Sequence, residues 1–162
     1  LFAVSALLAQ TSGGAVITHD FGGFAPPLGI RYIADPMGAL MVVLSAFLFT
    51  VVTLYTCFYP GVAAAFYPLF WFLGCGFGVI FLSNDIFNLY VGLEITTLAA
   101  VGLTAYGKKR ANLQAALDYF IAAMVGSGLY LLGVALLYAQ HGTLDITLGG
   151  NRYRTECLKN DA

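Results

Sequence analysis

Between Pro36 and Tyr138 the sequence is apolar in four long runs, separated only by short polar gaps. That patterning leaves few folds open. A bilayer's hydrocarbon core takes about 20 apolar residues of helix to cross. Inside it a helix satisfies its own backbone polar groups. The runs 36–56, 66–83, 85–106 and 113–138 meet or approach that length. Only 9% of residues are charged and 60% are hydrophobic, whereas a soluble domain carries about 25% charged residues. The sequence therefore predicts an all-α, polytopic transmembrane helix bundle. Residues 1–9 are apolar but too short to span. They read as the end of a truncated transmembrane helix, giving four full spans plus a partial N-terminal helix. With no basic n-region and no cleavage site ahead of them, no signal peptide is expected.

The polar segments divide the bundle. Residues 10–35 hold Thr, Ser, several Gly, His19, Asp20, Pro26, Pro27 and Arg31, and read as a turn-rich external loop. Within it Val16-Ile17 and Ile30–Ile33 are candidates for short interfacial strands. Asp35 before Pro36 fits an N-cap followed by proline at the first helical position. Tyr55, Phe58 and Tyr59 mark an interface, and Pro60-Gly61 a turn. Gly74, Gly76 and Gly78 lie inside an apolar run with no strand ahead, so close helix packing explains them better than a phosphate loop. Gly126-Ser127-Gly128, with Gly133, favours close packing in the fourth span. Residues 140–162 form a polar tail with no apolar period, expected to be disordered or short and irregular and to be a non-native ending.

One residue breaks the apolar rule. Glu94 lies nine residues after Asp85 and fourteen before Lys108, near the middle of its run. At about 1.5 Å per residue it sits roughly 13 Å below the outer end. An acid at that depth costs about 2.5–3.5 kcal/mol unless a partner, water or a proton satisfies it. Two readings stand. Glu94 is a proton or cation relay whose proton affinity rises when dry and falls when a basic group approaches, or it is held by hydrogen bonds between helices for packing. Its basic partner would come from outside these spans, which carry no Lys, Arg or His at membrane depth. Thr97 shares its face at i+3, either to hold a water beside the carboxylate or to bond a carbonyl one turn back.

The other polar residues have plainer accounts. Asp85 reads as the cap of the Glu94 helix. Asp118 reads as an ion-pair partner for Lys108, Lys109 or Arg110 near the membrane surface, or as part of a proton access route. Lys108-Lys109-Arg110 is the basic cluster between spans and sets that loop in the cytoplasm. Counting back, Asn84-Asp85 and the loop with His19 face outside. Cys57, Cys75 and Cys157 are far apart, and neither histidine has ligand-spaced neighbours, so no metal is expected. No basic stripe suits nucleic acid. With no haem pair, cysteine cluster or nucleotide loop, no cofactor and no catalysis by the chain itself are expected.

The stretches DIFNLYVGLEITTLAAVGLTAYG (85–107) and LDYFIAAMVGSGLYLLGVALLYAQHGTLD (117–145), with the lead-in APPLGIRYIADPMGALMVVLSA (25–46), resemble the antiporter-like membrane subunits of respiratory complex I and of Mrp-type multisubunit sodium/proton antiporters. The resemblance is greatest to the D-type Mrp subunit and extends to formate hydrogenlyase and membrane-bound hydrogenase subunits. It covers about residues 23–145. It implies that the four spans are the family's third to sixth helices. Glu94 then matches a glutamate that translocates protons together with a lysine on a broken seventh helix. That lysine lies outside this sequence, so the resemblance makes the chain an N-terminal fragment.

The combined reading is a proton-translocating membrane subunit fragment of a cation/proton antiporter or a complex I-like NADH-quinone oxidoreductase. Its partners are other membrane subunits, the lipid bilayer, protons and possibly sodium. Its place is the inner (plasma) membrane, multi-pass. Two alternatives remain: a structural membrane subunit without transport of its own, and an oligomeric channel with Glu94 as a ring of acids.

Overall fold

The computed structural model describes residues 10–11, 13–24, 29–59, 61–62, 64–107 and 109–151. The partial helix expected over residues 1–9, Lys108 and the end of the polar tail lie outside the described residues. A hairpin comes first. β1 (Ile17–Asp20) pairs antiparallel with β2 (Arg31–Ala34), with Ile17 opposite Ala34 and Asp20 opposite Arg31. The fold is therefore mostly helical with a small two-stranded sheet, not purely helical. Val16 is left outside β1, and Ile30 outside β2.

Four helices follow: α1 (Pro36–Phe58), α2 (Phe66–Leu82), α3 (Ile86–Ala105) and α4 (Arg110–His141). α1 starts where it does because Asp35 accepts a hydrogen bond from the Gly38 amide at 2.9 Å, with proline at the first helical position. α3 starts the same way, the Asp85 carboxylate accepting from the Asn88 amide at 2.8 Å. α4 stops at Gly142, whose left-handed φ of 63° suits the position after a helix C-terminus. It begins and ends three residues beyond the run 113–138 at either side. Flanking polar residues were counted as loop in the sequence, but their backbone continues the helix.

Each helix packs on the next, in a row from α1 to α4, most extensively between α2 and α3. That seam is built on missing side chains. A Cβ at Gly76 would meet Thr96 and the Gly92 carbonyl, one at Gly92 would meet Ile80 and Val79, and one at Gly102 would meet Leu69. Between α1 and α2 the Phe49 ring fills the space over Gly74 and sits 4.5 Å from the Phe70 centroid. α4 joins α3 through Tyr130, stacked on Tyr90 at 6.2 Å. Gly126, Gly128 and Gly133 have nothing within 4 Å. The sequence points to them as packing positions, but a side chain at any of the three would reach no neighbouring helix among the described residues.

α1, α3 and α4 are long and apolar enough to cross a membrane, with mean hydropathies of 2.4, 1.6 and 2.1. α2, with 17 residues, is shorter. The outer faces of α1 and α4 leave Leu44, Phe47, Leu48, Ile121, Leu129 and Leu132 exposed, which suits lipid or neighbouring membrane helices rather than water.

The polar tail also departs from expectation. After Gly142 the chain turns back, pairs with the α2–α3 turn and enters a further helical segment, 146–151. Local apolar periodicity gives no hint of this, because the segment is held by hydrogen bonds to residues some sixty positions earlier.

Candidate functional site

α3 is flanked by α2 on one side and α4 on the other, and it carries Glu94 eight residues after Ile86. At about 1.5 Å per residue the acid is roughly 12 Å along the helix. Its side chain is half-buried. Oε1 is enclosed and has no hydrogen-bond partner among the described residues. A carboxylate oxygen in that state carries a desolvation cost with nothing to offset it. Tyr90, one turn earlier, shares the Glu94 face, and its hydroxyl interacts electrostatically with the carboxylate. Tyr90 is in turn held by the stack on Tyr130, whose hydroxyl donates to the Ile86 carbonyl at 3.2 Å.

Thr97 makes no hydrogen bond among the described residues. Its neighbours do: Thr96 donates to the Gly92 and Leu93 carbonyls at 3.0 and 2.8 Å, and Thr104 to the Ala100 carbonyl at 2.8 Å.

The foot of α3 is a polar junction. The extended turn Ser83–Asp85 runs between β2 and residues 144–146. The Asn84 amide donates to the Arg31 carbonyl at 3.0 Å on one side. On the other, the Ile86 amide donates to the Leu144 carbonyl at 3.0 Å, and the Ile146 amide to the Asn84 carbonyl at 2.9 Å. Asn84, Asn88 and Asp145 are all buried. Arg31 is tied to Asp20 by Nε–Oδ1 and Nη2–Oδ2 contacts of 2.7 and 3.2 Å. Hydrogen bonding from Arg31 holds the Asp20 carboxyl below the usual carboxylate range, and Asp20 raises Arg31 in return.

The remaining candidates do not gather at Glu94. Asp35 and Asp85 sit at the starts of α1 and α3. Lys109 and Arg110 are exposed at the start of α4. Asp118 is exposed on α4 and forms no ion pair among the described residues; Lys108 lies outside them. The pairing expected with Lys109 or Arg110 is therefore absent. Both stand at least two turns earlier on the helix, beyond the three- or four-residue spacing that brings side chains together.

The sequence reading passed over Tyr90, Tyr130, Asn84 and Asp145. Asp145 was findable: Asp-Ile-Thr after a glycine stop is a helix-start pattern. Asn84 reads locally as part of a polar turn and no more, and nothing local points to the tyrosine pair.

Residues 83–155 match the family model for the NADH:quinone oxidoreductase/Mrp antiporter transmembrane region. They include α3, Glu94 and α4. Residues 83–155 carry that family's transmembrane domain. The antiporter subunit mnhD2 of Staphylococcus haemolyticus is 41% identical over 135 residues, covering 81% of this chain and 27% of that protein. A chain of the membrane-bound sulfane sulfur reductase, an archaeal respiratory membrane complex, superimposes with a TM-score of 0.77 at 31% identity, covering 89% of this chain and 30% of that one. The Mrp complex of a Dietzia species shares the fold, with a TM-score of 0.74 at 24% identity over 89% of this chain and 28% of that one. This chain thus spans about a quarter of the length of the curated antiporter relatives it matches, and its structural relatives are subunits of multisubunit membrane complexes.

Proposed function

We propose that this antiporter-family domain translocates protons within a cation/proton antiporter or a complex I-like complex, with Glu94 as the proton-carrying group. One observation supports this most: an acid midway along an apolar helix whose Oε1 is enclosed and unpartnered. Intramembrane acids mark ion pathways by default, and here Tyr90 is the neighbour that bears on the carboxylate. In the proposed cycle Glu94 holds a proton while isolated. It releases that proton when a cationic side chain from another segment approaches, because an opposite charge within about 4–6 Å favours the ionised form. Protons, and sodium where the parent complex exchanges it, are then the cargo.

The membrane arrangement belongs to the same proposal. α2 is 17 residues, at the lower limit for a span. Packed between α1 and α3, it is carried across with them as the fourth span. The Lys108–Arg110 loop faces the cytoplasm, which puts the hairpin and the foot of α3 outside.

The test is Glu94→Gln in the assembled complex that contains this segment, followed by proton-coupled transport in vesicles. Glutamine keeps the shape and loses the titration. Transport is expected to fall by at least tenfold with the complex still assembled. Transport at the unsubstituted rate would remove Glu94 from the pathway.

A further inference from the structure

The chain that leaves α4 returns to the foot of α3, and one buried acid holds it there. Asp145 is 5% exposed. Its Oδ1 accepts three hydrogen bonds, from Asn84 Nδ2 at 3.0 Å, Thr147 Oγ1 at 2.6 Å and the Leu148 amide at 3.0 Å. Its Oδ2 has no hydrogen-bond partner among the described residues. The acceptor on Oδ1, rather than an ion pair, is what the site uses.

We propose that Asp145 is a positioning residue for Glu94, fixing the height of α3 in the bundle. The inference rests on the reading of Glu94 as the proton carrier. Two kinds of contact hold α3. The seams with α2 and α4 are packed contacts, side chain over glycine and ring on ring, with one directional bond among the described residues, from the Tyr130 hydroxyl to the Ile86 carbonyl. The bonds at the foot are directional. Asn84 Nδ2 to Asp145, Ile86 to Leu144 and Ile146 to Asn84 set the register of α3 against the segment after α4. A continuously hydrogen-bonded helix transmits a displacement of its first turn along its length, so a slide at Asn84 becomes a slide of Glu94 about 12 Å away. The proton affinity of Glu94 depends on its distance from an incoming cation. Asp145 therefore sets that affinity without touching the proton. The titratable groups around Asp145 are Arg31 from β2, Asp85 across the backbone bridge and His141, which lines the same cavity.

The experiment uses the assembled complex containing this segment, with Asp145→Asn, Asp145→Ala and Glu94→Gln measured side by side. Transport is normalised to assembled complex and recorded against pH. Asparagine keeps an acceptor at Oδ1; alanine removes it. Asp145→Ala is expected to lower transport about tenfold or more and to displace its pH profile, as small misplacements of a reacting group do. Asp145→Asn should stay within about twofold of the unsubstituted rate. A purely structural role would lower the amount of assembled complex and leave the profile in place. Where Asp145→Ala does not assemble, Asn84→Ser removes the amide that donates to Asp145 and Thr147 and should displace the profile in the same direction. An unchanged profile in Asp145→Ala, or in Asn84→Ser in that case, overturns the proposal. Equal losses in Asp145→Asn and Asp145→Ala overturn it too, because the charge would then be the working part. If Glu94→Gln transports normally, the Glu94 reading falls; if Glu94→Gln is dead and Asp145→Ala is normal, only the positioning role falls.

Discussion

The α2–α3 seam gives the sharpest stability prediction, because its closest approach involves one methyl group. In Gly76→Ala the new Cβ would stand 2.6 Å from Thr96 Cγ2, 3.1 Å from the Thr96 amide nitrogen and 3.2 Å from the Gly92 carbonyl oxygen. Carbon atoms settle at about 3.5–4.0 Å, so the methyl overlap is roughly an ångström. Thr96 is not free to turn away, since its hydroxyl is engaged by the Gly92 and Leu93 carbonyls. Over-packing of this kind costs about 1–3 kcal/mol, and the better helix propensity of alanine returns about 0.8–1.0 kcal/mol. The net loss is about 0–2 kcal/mol, up to a factor of about 30 in the folded-to-unfolded ratio. Thr96→Ser removes Cγ2 and keeps the hydroxyl, so Gly76→Ala should be relieved in that background, read as a coupling energy in a double-mutant cycle. Gly126→Ala is the control: a Cβ there meets nothing within 4 Å, so it should show the propensity gain alone, about 0.8–1.0 kcal/mol of stabilisation. The assay is reversible unfolding of the 162-residue chain in mixed micelles, followed by helix content and Trp71 fluorescence. Gly76→Ala as stabilising as Gly126→Ala would refute the clash, and so would the absence of relief by Thr96→Ser.

Two further outcomes follow from contacts at the foot of the bundle. Tyr130→Phe loses the hydroxyl bond to the Ile86 carbonyl but keeps the stack on Tyr90. It should cost about 0.5–1.5 kcal/mol in the same unfolding assay, and Tyr130→Ala clearly more; equal costs would show that the hydroxyl carries the whole contact. Asp20 titrates below its ordinary value in the folded hairpin because Arg31 donates to it, so its contribution is complete above about pH 4 and is lost as the pH falls through the lowered value. Amide protection across residues 17–34 should weaken on that acid limb, and Asp20→Asn should abolish the pH dependence; a hairpin equally protected at every pH would contradict the pairing.

The parts of this molecule legible in the sequence are those fixed by neighbours along the chain. Asp35-Pro36 and Ser83-Asn84-Asp85 announce helix starts through local capping chemistry, and the apolar runs announce helices because hydrocarbon tolerates little else. Glu94 stood out for the same reason, as a local violation. Long-range pairings left no such trace. The clasp between Asn84 and Asp145 joins residues 61 apart, and each end alone looks like an ordinary polar turn. The glycines make the point from the other side. Gly76 and Gly126 occupy similar apolar settings in the sequence, yet one faces a helix and the other faces open space, because only the order of helices in the row decides which side of α4 is covered.

The two acids in the long helices differ in a way that bears on which one must change its charge. α4 has 32 residues, about 48 Å at 1.5 Å per residue, and so exceeds a hydrocarbon core of about 30 Å by about 18 Å. Its first turns, with Lys109, Arg110 and the exposed Asp118, can stand at the headgroup level, where water and long basic side chains satisfy a carboxylate. α3 has 20 residues, about 30 Å, and no such slack. An acid eight residues from its start cannot reach either surface, and the nearest polar group bearing on it, Tyr90, is uncharged and on the same helix. Asp118 therefore has water and surface groups within its reach. Under the function proposed above, a cation brought to Glu94 is therefore the event that would change its charge.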